Sequence, residues 1–437
     1  MGPGLSFADR FRRQIELAAH TPHATADGEC HSPAGKRCRL CHASRISYEQ
    51  EIPLKRAALQ EHWDHCGALL IASARSTGGT VEEPERHPAL PPLSPLVLSP
   101  HGRQYRTVSK RKVFLDRRRR FLGLIDPGEH SSHGGFEVGR CAIEPAKHAT
   151  LYAGCASLLN RPQTQALAQR LRYVIIKGGD GGQAVLFSVT EITPMLIRAA
   201  NQVSKAITRA VPSVTGVFLY EDASDGRYYL GPAVAPAPRS LRKLYGKPDI
   251  ARLIAGKRFQ FSPLVFSQVN AAAAEQMVDL AGELLEPHSD CRLVDLYCGF
   301  GVFALTLAPR VRRVIGVESS PHALAAALAN VRAQRAQNVR FVRAEIDGDN
   351  IHQLVGTPAP NDLFLLDPPR SGTRSGVVEA IAARRPLRVL HIFCNPDLIP
   401  AELARWTRSG YRVTRAVPVD MFPGTDAVEV MVVLERA

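Results

Sequence analysis

The chain has 437 residues and a mass of 47.7 kDa, which at ~150 residues per domain calls for two or three domains. Its 45% hydrophobic and 22% charged residues exclude a disordered, collagenous or coiled-coil chain, and with no apolar run of membrane-spanning length and no signal-peptide pattern at the start a soluble cytoplasmic protein is expected. The 55 Lys and Arg outnumber the 41 Asp and Glu to give a net charge of +14, which points to a polyanionic partner.

The first region, residues 1–100, carries Cys30, Cys38 and Cys41 and then IPLKRAALQEHWDHC, whose apolar spacing predicts a helix. Nine cysteines in a cytosolic chain do not form a disulfide framework, because that compartment keeps thiols reduced. The spacing C-x7-C-x2-C suits metal ligation: the close pair grips an ion and the longer loop brings a third thiolate round. The region ends in HPALPPLSPLVLSP, whose five prolines in fourteen residues rule out a regular helix and predict a linker or extended crossing segment.

The second region, residues 101–260, opens on a basic stretch. Nine Lys and Arg from Arg103 to Arg120 face one acid, Asp116, which reads as a surface for phosphates against the simpler reading of a solvated basic face. The runs RYVIIKG, QAVLFSV, SVTGVFLY and RYYLGPAV predict a mixed, mostly antiparallel sheet, with TEITPMLIRAANQVSKAITRAV as a helix inside it.

In the third region, residues 261–437, apolar strands alternate with helices: RLVDLYC, RRVIGVE, VRFVRAE, DLFLLD and LRVLHIF, closed by YRVTRAVPV and AVEVMVVLER. The pattern predicts an α/β fold, a doubly wound Rossmann-like sheet ending in an antiparallel hairpin. In DLYCGFG a strand runs into a turn opened by Gly299 and Gly301, and nineteen residues after Gly299 stands Glu318, at a strand end where an acid reaches ribose hydroxyls. GFGVFA is a loose form of the dinucleotide fingerprint, so a nicotinamide cofactor stays open on the motif alone. DPPR, from Asp367 to Arg370, fixes an extended turn at the carboxyl edge of the sheet. Cys394 follows the next strand, and Asn395 and Pro396 begin a helix there; a helix start lowers a thiol pKa and favours the thiolate.

The order FSQVN (Phe266 to Asn270), DLYCGFG, Glu318, DPPRSG, FCNP (Phe393 to Pro396) and DMFPGT followed by Glu429 resembles the S-adenosylmethionine-dependent RNA uracil-C5 methyltransferases. The resemblance covers residues 258–437 closely. It implies a class I methyltransferase domain over 261–437, Cys394 as nucleophile, Glu429 as base, and Gln268, Tyr297, Glu318, Glu345 and Asp367 as contacts to the methyl donor or the target base. Uracil C5 is a poor nucleophile, and a thiolate added at C6 makes it an enolate carbon that takes the methyl group; a carboxylate then removes the C5 proton. The target uridine must be unstacked to expose C5 and C6, so a loop or flipped base is expected.

Three positions depart from the family pattern. Phe393 precedes the cysteine where Ser is usual, and the chain reads Pro423, Gly424, Thr425, Asp426, Ala427, Val428, Glu429 where the family commonly has P-H-T-x-H-x-E. The ribosomal RNA members of the family carry an amino-terminal [4Fe-4S] cluster whose fourth ligand follows a basic segment; Cys141 in GRCAIEP stands at the matching place, with Cys66 the weaker candidate and zinc the alternative to iron. The resemblance therefore implies a monomeric enzyme on structured RNA, 23S rRNA first, with transfer RNA as the alternative and no membrane. A small-molecule or protein methyltransferase and a catalytically silent RNA-binding protein are the competing classes.

Overall fold

The computed structural model describes residues 4–19, 29–30, 38, 40–76, 90–125, 134–222 and 241–437. The expected strand RYYLGPAV lies outside them.

Two helices come first, α1 (Phe7–Ala19) and α2 (Tyr48–Ser76). Ser6 Oγ accepts the Asp9 N–H (3.1 Å) at the start of α1, the capping that an orphan first-turn amide needs. Phe7, Phe11 and Ile15 recur every fourth residue, and with Leu59 and Trp63 of α2 they enter one buried cluster.

The central sheet contains β1 (Val108–Asp116), β2 (Arg119–Ile125) and β3 (Gly135–Glu137), then β4 (Leu171–Gly179), β5 (Gly182–Val189), β6 (Val214–Glu221) and β7 (Leu241–Gly246). Their spatial order is β3-β2-β1-β4-β5-β6-β7. Every pair is antiparallel except β5 and β6. That parallel pair needs a crossover, and the helix Pro194–Ala210 supplies it, capped by Thr193, whose hydroxyl accepts the Leu196 N–H. The apolar face of this crossover helix packs with the helix Ala146–Leu159 over Val185 and Phe187. The expected mixed, mostly antiparallel sheet is what forms.

A hairpin of β8 (Ile250–Ile254) and β9 (Lys257–Phe261) follows. It lies in one apolar cluster with Tyr173 and Phe218 of the central sheet and with Phe300 and Ala326 of the last region, so a continuous core joins the two.

The second large sheet is built from β10 (Arg292–Leu296), β11 (Arg313–Glu318), β12 (Val339–Arg343), β13 (Asp362–Leu366), β14 (Arg388–Phe393), β15 (Tyr411–Val419) and β16 (Glu429–Arg436), in the order β12-β11-β10-β13-β14-β16-β15. The first five are parallel, and β16 runs antiparallel between β14 and β15. Chain direction across the sheet reverses at β10 and β13, and the crevice at their carboxyl ends is where such sheets bind ligands. All of β13, DLFLL, is buried, which explains its unbroken apolar run.

The first region is joined to this sheet. Phe7, Leu59 and Trp63 share a core with Val294, Ile399 and Trp406. The proline-rich stretch is an extended crossing segment: Ser94 and Val97 donate to Ala416 and Pro418 of β15, and Asp420 donates back to Val97. Its residues 87–89 lie outside the described residues.

Candidate active site

At the crevice, Asp295 is fully buried and its Oδ2 accepts the Ala304 N–H (2.9 Å), tying β10 to the helix that follows. Between them the chain takes left-handed conformations at Tyr297, Gly299 and Gly301. At Gly301 the need for glycine is double, because a Cβ would stand 2.6 Å from the Phe341 ring and φ is +85°. Glu318, at the end of β11, accepts the Gly299 N–H (2.9 Å) and the Ser320 N–H (2.7 Å). Burial raises the Asp295 carboxyl well above its ordinary range, and Asp367 and Glu318 add negative charge to it. Three carboxyl groups thus converge on one crevice, and a cationic ligand there favours their ionised forms.

Asp367 follows β13, and its N–H points to Leu296 O. Burial pushes its carboxyl up to about 7. The Tyr297 hydroxyl is buried without a hydrogen-bond partner among the described residues, with Glu402, Arg374 and Arg405 around it. Glu345 lies further out: its side chain is 69% exposed and accepts from Arg374 (2.7 Å). Gln268 sits on the segment after β9, where its carbonyl accepts from Arg252 (3.0 Å), and Asn270 beside it donates to Ser99 Oγ and Met421 O. Phe266 is 63% exposed, so it is available to stack and is not core.

Cys394 leaves β14 at the same edge. Its thiol points to Pro368 O (3.8 Å). Burial pushes it up to about 12, and the carboxylates of Glu429 and Asp367 oppose ionisation further while Arg370 favours it. This corrects the sequence expectation of a thiol acidified by a helix. A three-residue turn, Pro396–Leu398, capped by Asn395, runs directly into the helix Ile399–Arg408, and at the thiol burial and the two carboxylates outweigh that helix start. Glu429 begins β16, wholly buried, with Oε2 lacking a partner among the described residues. Burial raises it well above the usual carboxylate range, Asp367 adds to that, and Arg370 pulls the other way. Arg370 therefore faces both groups; it stands inside the DPPR motif, yet nothing in that motif assigns it to the thiol.

Next to the thiol an open cleft is lined by Phe7, Arg370, Cys394, Asn395, Asp397 and Asp426, among others. One wall is the start of α1, where the Phe7 N–H donates to Asp397 Oδ1 (2.8 Å), a neighbour no local motif announced.

Two of the three departures from the family pattern, Phe393 and Gly424, have local reasons. Phe393 is buried and stacks on His391 with ring centroids 4.1 Å apart, so it is part of the sheet core. Gly424 has φ +81°, and a Cβ there would come within 3.3 Å of Arg103. Its N–H donates to the buried Glu51 carboxylate (2.6 and 2.8 Å). A histidine does not fit that backbone.

The cysteines fall into two sets. Cys66 is in the core with α1 and α2. Cys30, Cys38, Cys41 and Cys141 are free, half-buried thiols. Cys41 is within electrostatic reach of Cys38 and Cys30, and Cys141 of Cys41; Cys38 and Cys141 also pack on the same small cluster of Phe136 and Val138. Burial lifts Cys41 to about 11 and Cys141 to about 12, and the neighbouring thiolates add to both. A cationic centre relieves that kind of repulsion, so the donor set fits a metal group. Among the described residues, however, no three His, Cys, Asp or Glu side chains converge around a single-ion position.

The basic stretch divides as well. Arg111 is buried against Glu144 in two bonds (2.9 and 2.7 Å), and Arg103 pairs with Glu29 (2.6 Å). Arg117, Arg118 and Arg119 are exposed at the turn between β1 and β2, with Arg119 paired to Glu137. Part of the charge thus builds the fold and part is offered to solvent. No described helix is long and apolar enough to cross a membrane.

Comparison with known proteins adds a second line. The sequence model of the tRNA (Uracil-5-)-methyltransferase family matches residues 251–355 and 357–437. An uncharacterized RNA methyltransferase of Gloeobacter violaceus is 26% identical over 434 residues, covering 98% of this chain and 86% of the relative. A 23S rRNA (uracil(1939)-C(5))-methyltransferase of Aeromonas hydrophila is 28% identical over 401 residues, covering 92% of this chain and 81% of the relative. The crystal structure of Pyrococcus abyssi tRNA (uracil-54, C5)-methyltransferase in complex with S-adenosyl-L-homocysteine shares the fold, with TM-score 0.60 at 18% identity over 89% of this chain and 84% of that one.

Proposed function

The chain belongs to the S-adenosylmethionine-dependent RNA uracil-C5 methyltransferases, and from that membership we propose that it methylates C5 of one uridine in 23S rRNA, with Cys394 as nucleophile and Glu429 as base. The observation that carries the reading is the meeting of Cys394, Glu429, Asp367 and Arg370 at one edge of the sheet, beside a crevice of three carboxylates. The ribosomal substrate is supported by the full-length relatives.

Bound S-adenosylmethionine supplies an electrophilic methyl group on a sulfonium. The acidic crevice, with Tyr297, Glu318 and Asp367 and with Gln268 on the neighbouring segment, holds that cation and the target base; Glu345, joined to Arg374, takes the outer position. Cys394, its proton lost to solvent, bonds through Sγ to C6 of the uracil as the C5=C6 pair shifts to an enolate, and C5 takes the methyl group as the sulfonium–methyl bond breaks and leaves its pair on that sulfur. Glu429 then removes the C5 proton, the C5–H pair restores C5=C6, and the C6–Sγ bond breaks to release the thiolate. Burial raises the proton affinity of Glu429, as its task at C5 requires. Arg370 offsets the negative charge as the thiolate and the enolate form.

In this reading residues 1–100 form a [4Fe-4S] segment, 101–260 an RNA-binding domain and 261–437 the methyltransferase domain, in a cytoplasmic protein. Cys30, Cys38, Cys41 and Cys141 would hold the cluster, which would fasten the first region to the loop after β3. Anaerobic purification separates the metals: iron gives broad absorption near about 400 nm, and a colourless protein with stoichiometric zinc means a zinc site.

Nucleoside mapping by mass spectrometry, on 23S rRNA and transfer RNA from cells with and without the gene, tests the substrate. Loss of one 5-methyluridine from 23S rRNA is expected. Loss from transfer RNA alone moves the substrate, and no loss from either refutes the activity.

A further inference from the structure

The loop between β15 and β16 ends on Glu429, and much of what holds it comes from outside the methyltransferase sheet. Glu51 of α2 accepts the Gly424 N–H. The His42 N–H donates to Gly424 O (2.6 Å). The His42 imidazole hydrogen-bonds to Asp426 Oδ1, and Arg12 Nε of α1 donates to Asp426 Oδ2 (2.7 Å). Tyr105 donates to Pro423 O (2.9 Å). Asp426 is thus fastened at both carboxylate oxygens by two N-terminal side chains. It also lines the cleft beside Cys394 and stands three residues before Glu429.

We propose that His42 and Asp426 are positioning residues for the second half of the reaction: through Asp426, the cysteine-bearing loop sets where Glu429 meets the C5 proton. The inference rests on the reading of Glu429 as base. Its physical content is a division of labour between two segments. Cys394 is carried by β14, whose own ladder with β13 and β16 does not depend on residues 12 or 42. Glu429 is the first residue of β16, at the point where the loop enters the sheet, so freedom in residues 423–427 reaches it directly. The imidazoles common in the family's loop are absent here, and one imidazole comes instead from residue 42, next to Cys41. Loosening the clamp therefore slows removal of the C5 proton and leaves attack by the thiol and methyl transfer intact.

The test uses the full chain, S-adenosylmethionine and two 23S rRNA transcripts, one with uridine and one with 5-fluorouridine, whose C5–F bond blocks elimination and traps the adduct after methyl transfer. Glu429→Gln is the control. His42→Ala and Asp426→Ala are expected to accumulate methylated covalent adduct on the uridine transcript about tenfold over the parent, the effect of one lost charge-assisted hydrogen bond. Trapping rates on the 5-fluorouridine transcript should stay within about twofold, since the first half of the reaction keeps its groups. His42→Gln, which keeps a side-chain N–H for Asp426, should restore elimination. A parallel fall in both rates, or unchanged elimination, overturns the proposal. His42 also packs edge-on against Phe11, so a misfolded alanine variant is replaced by Arg12→Ala, at a half-exposed side chain; accumulation in the same direction supports the clamp and its absence overturns it. Should Glu429→Gln itself fail to accumulate adduct, the assignment of the base fails, a result separate from any of these.

Discussion

Cys394 and Glu429 are brought side by side by strand register: Phe393 of β14 pairs with Val430 of β16, and the thiol is the next residue on one strand, the carboxylate the preceding one on the other. Because side chains alternate along a strand, a slip of one residue in this pairing would turn the carboxylate to the opposite face. The antiparallel insertion of β16 into a parallel sheet is therefore what brings together the proposed nucleophile and base.

Variants at these two positions should fail at different steps. Cys394→Ala should form no covalent adduct and no 5-methyluridine. Glu429→Gln should lower turnover by about 10²–10⁴ and leave a methylated protein–RNA adduct visible on a denaturing gel. Methylation at the parent rate by Cys394→Ala would remove the thiol from the mechanism.

The adduct-forming step should accelerate with pH. Burial and two carboxylates push the Cys394 thiol up to about 12, so below that value each pH unit raises the thiolate fraction, by up to about tenfold. Trapping on 5-fluorouridine RNA, followed between about pH 7 and 9, should climb accordingly. A flat profile would mean that the proton leaves by transfer to a neighbouring carboxylate and not to solvent.

A buried cation gives a stability prediction with its own sign. Lys177 is fully buried, donates to Pro263 O (3.1 Å), and is pulled down to about 7 by burial and by Arg252. Its folded pKa lies below the unfolded value of about 10.4, so between the two the unfolded chain holds more protons and stability rises with pH. Lys177→Met should flatten that rise, which is at most ~1.4 kcal/mol per pH unit. Tm measured at pH 7 and pH 9 for both proteins checks it; an unchanged pH slope would show that the lysine stays charged.

Lys55 lies between two buried carboxylates, Glu51 (2.8 Å) and Asp420 (2.9 Å), all three almost wholly inaccessible. Burial lowers its pKa, but Asp420 and Glu51 outweigh that and hold it raised. Lys55→Ala strands two desolvated carboxylates and should cost about 3–5 kcal/mol. Replacing the triad together, as Glu51→Gln, Lys55→Met and Asp420→Asn, should cost much less in thermal unfolding. Equal losses in the two variants would show that packing, not charge, governs the site.

The methyltransferase half was legible because its signals are local. Buried parallel strands such as DLFLL must be continuously apolar, Gly301 must be glycine where φ is positive and Phe341 is close, and Cys394 and Glu429 stand in motifs whose order alone marks them. Cys30, Cys38 and Cys41 were visible as thiols with ligand-like spacing, Cys141 only through the family resemblance, and Cys66 was sorted from them by its burial. The basic stretch was visible as charge, yet which arginines face solvent was not: Arg111 and Arg117 look alike until Glu144 is found beside the first.

What tertiary structure alone decided lies in contacts between distant parts of the chain. Glu51 and Gly424 are 373 residues apart, and nothing in either segment encodes the other; their meeting follows from α1 and α2 burying apolar faces on the methyltransferase core. The acidity of Cys394 belongs to the same class. Its sequence context argued for a lowered pKa, and the fold raised it, because the charge of a thiolate depends on solvent access and on Glu429 and Asp367 across the sheet edge, while a neighbouring helix start acts only within its first turn.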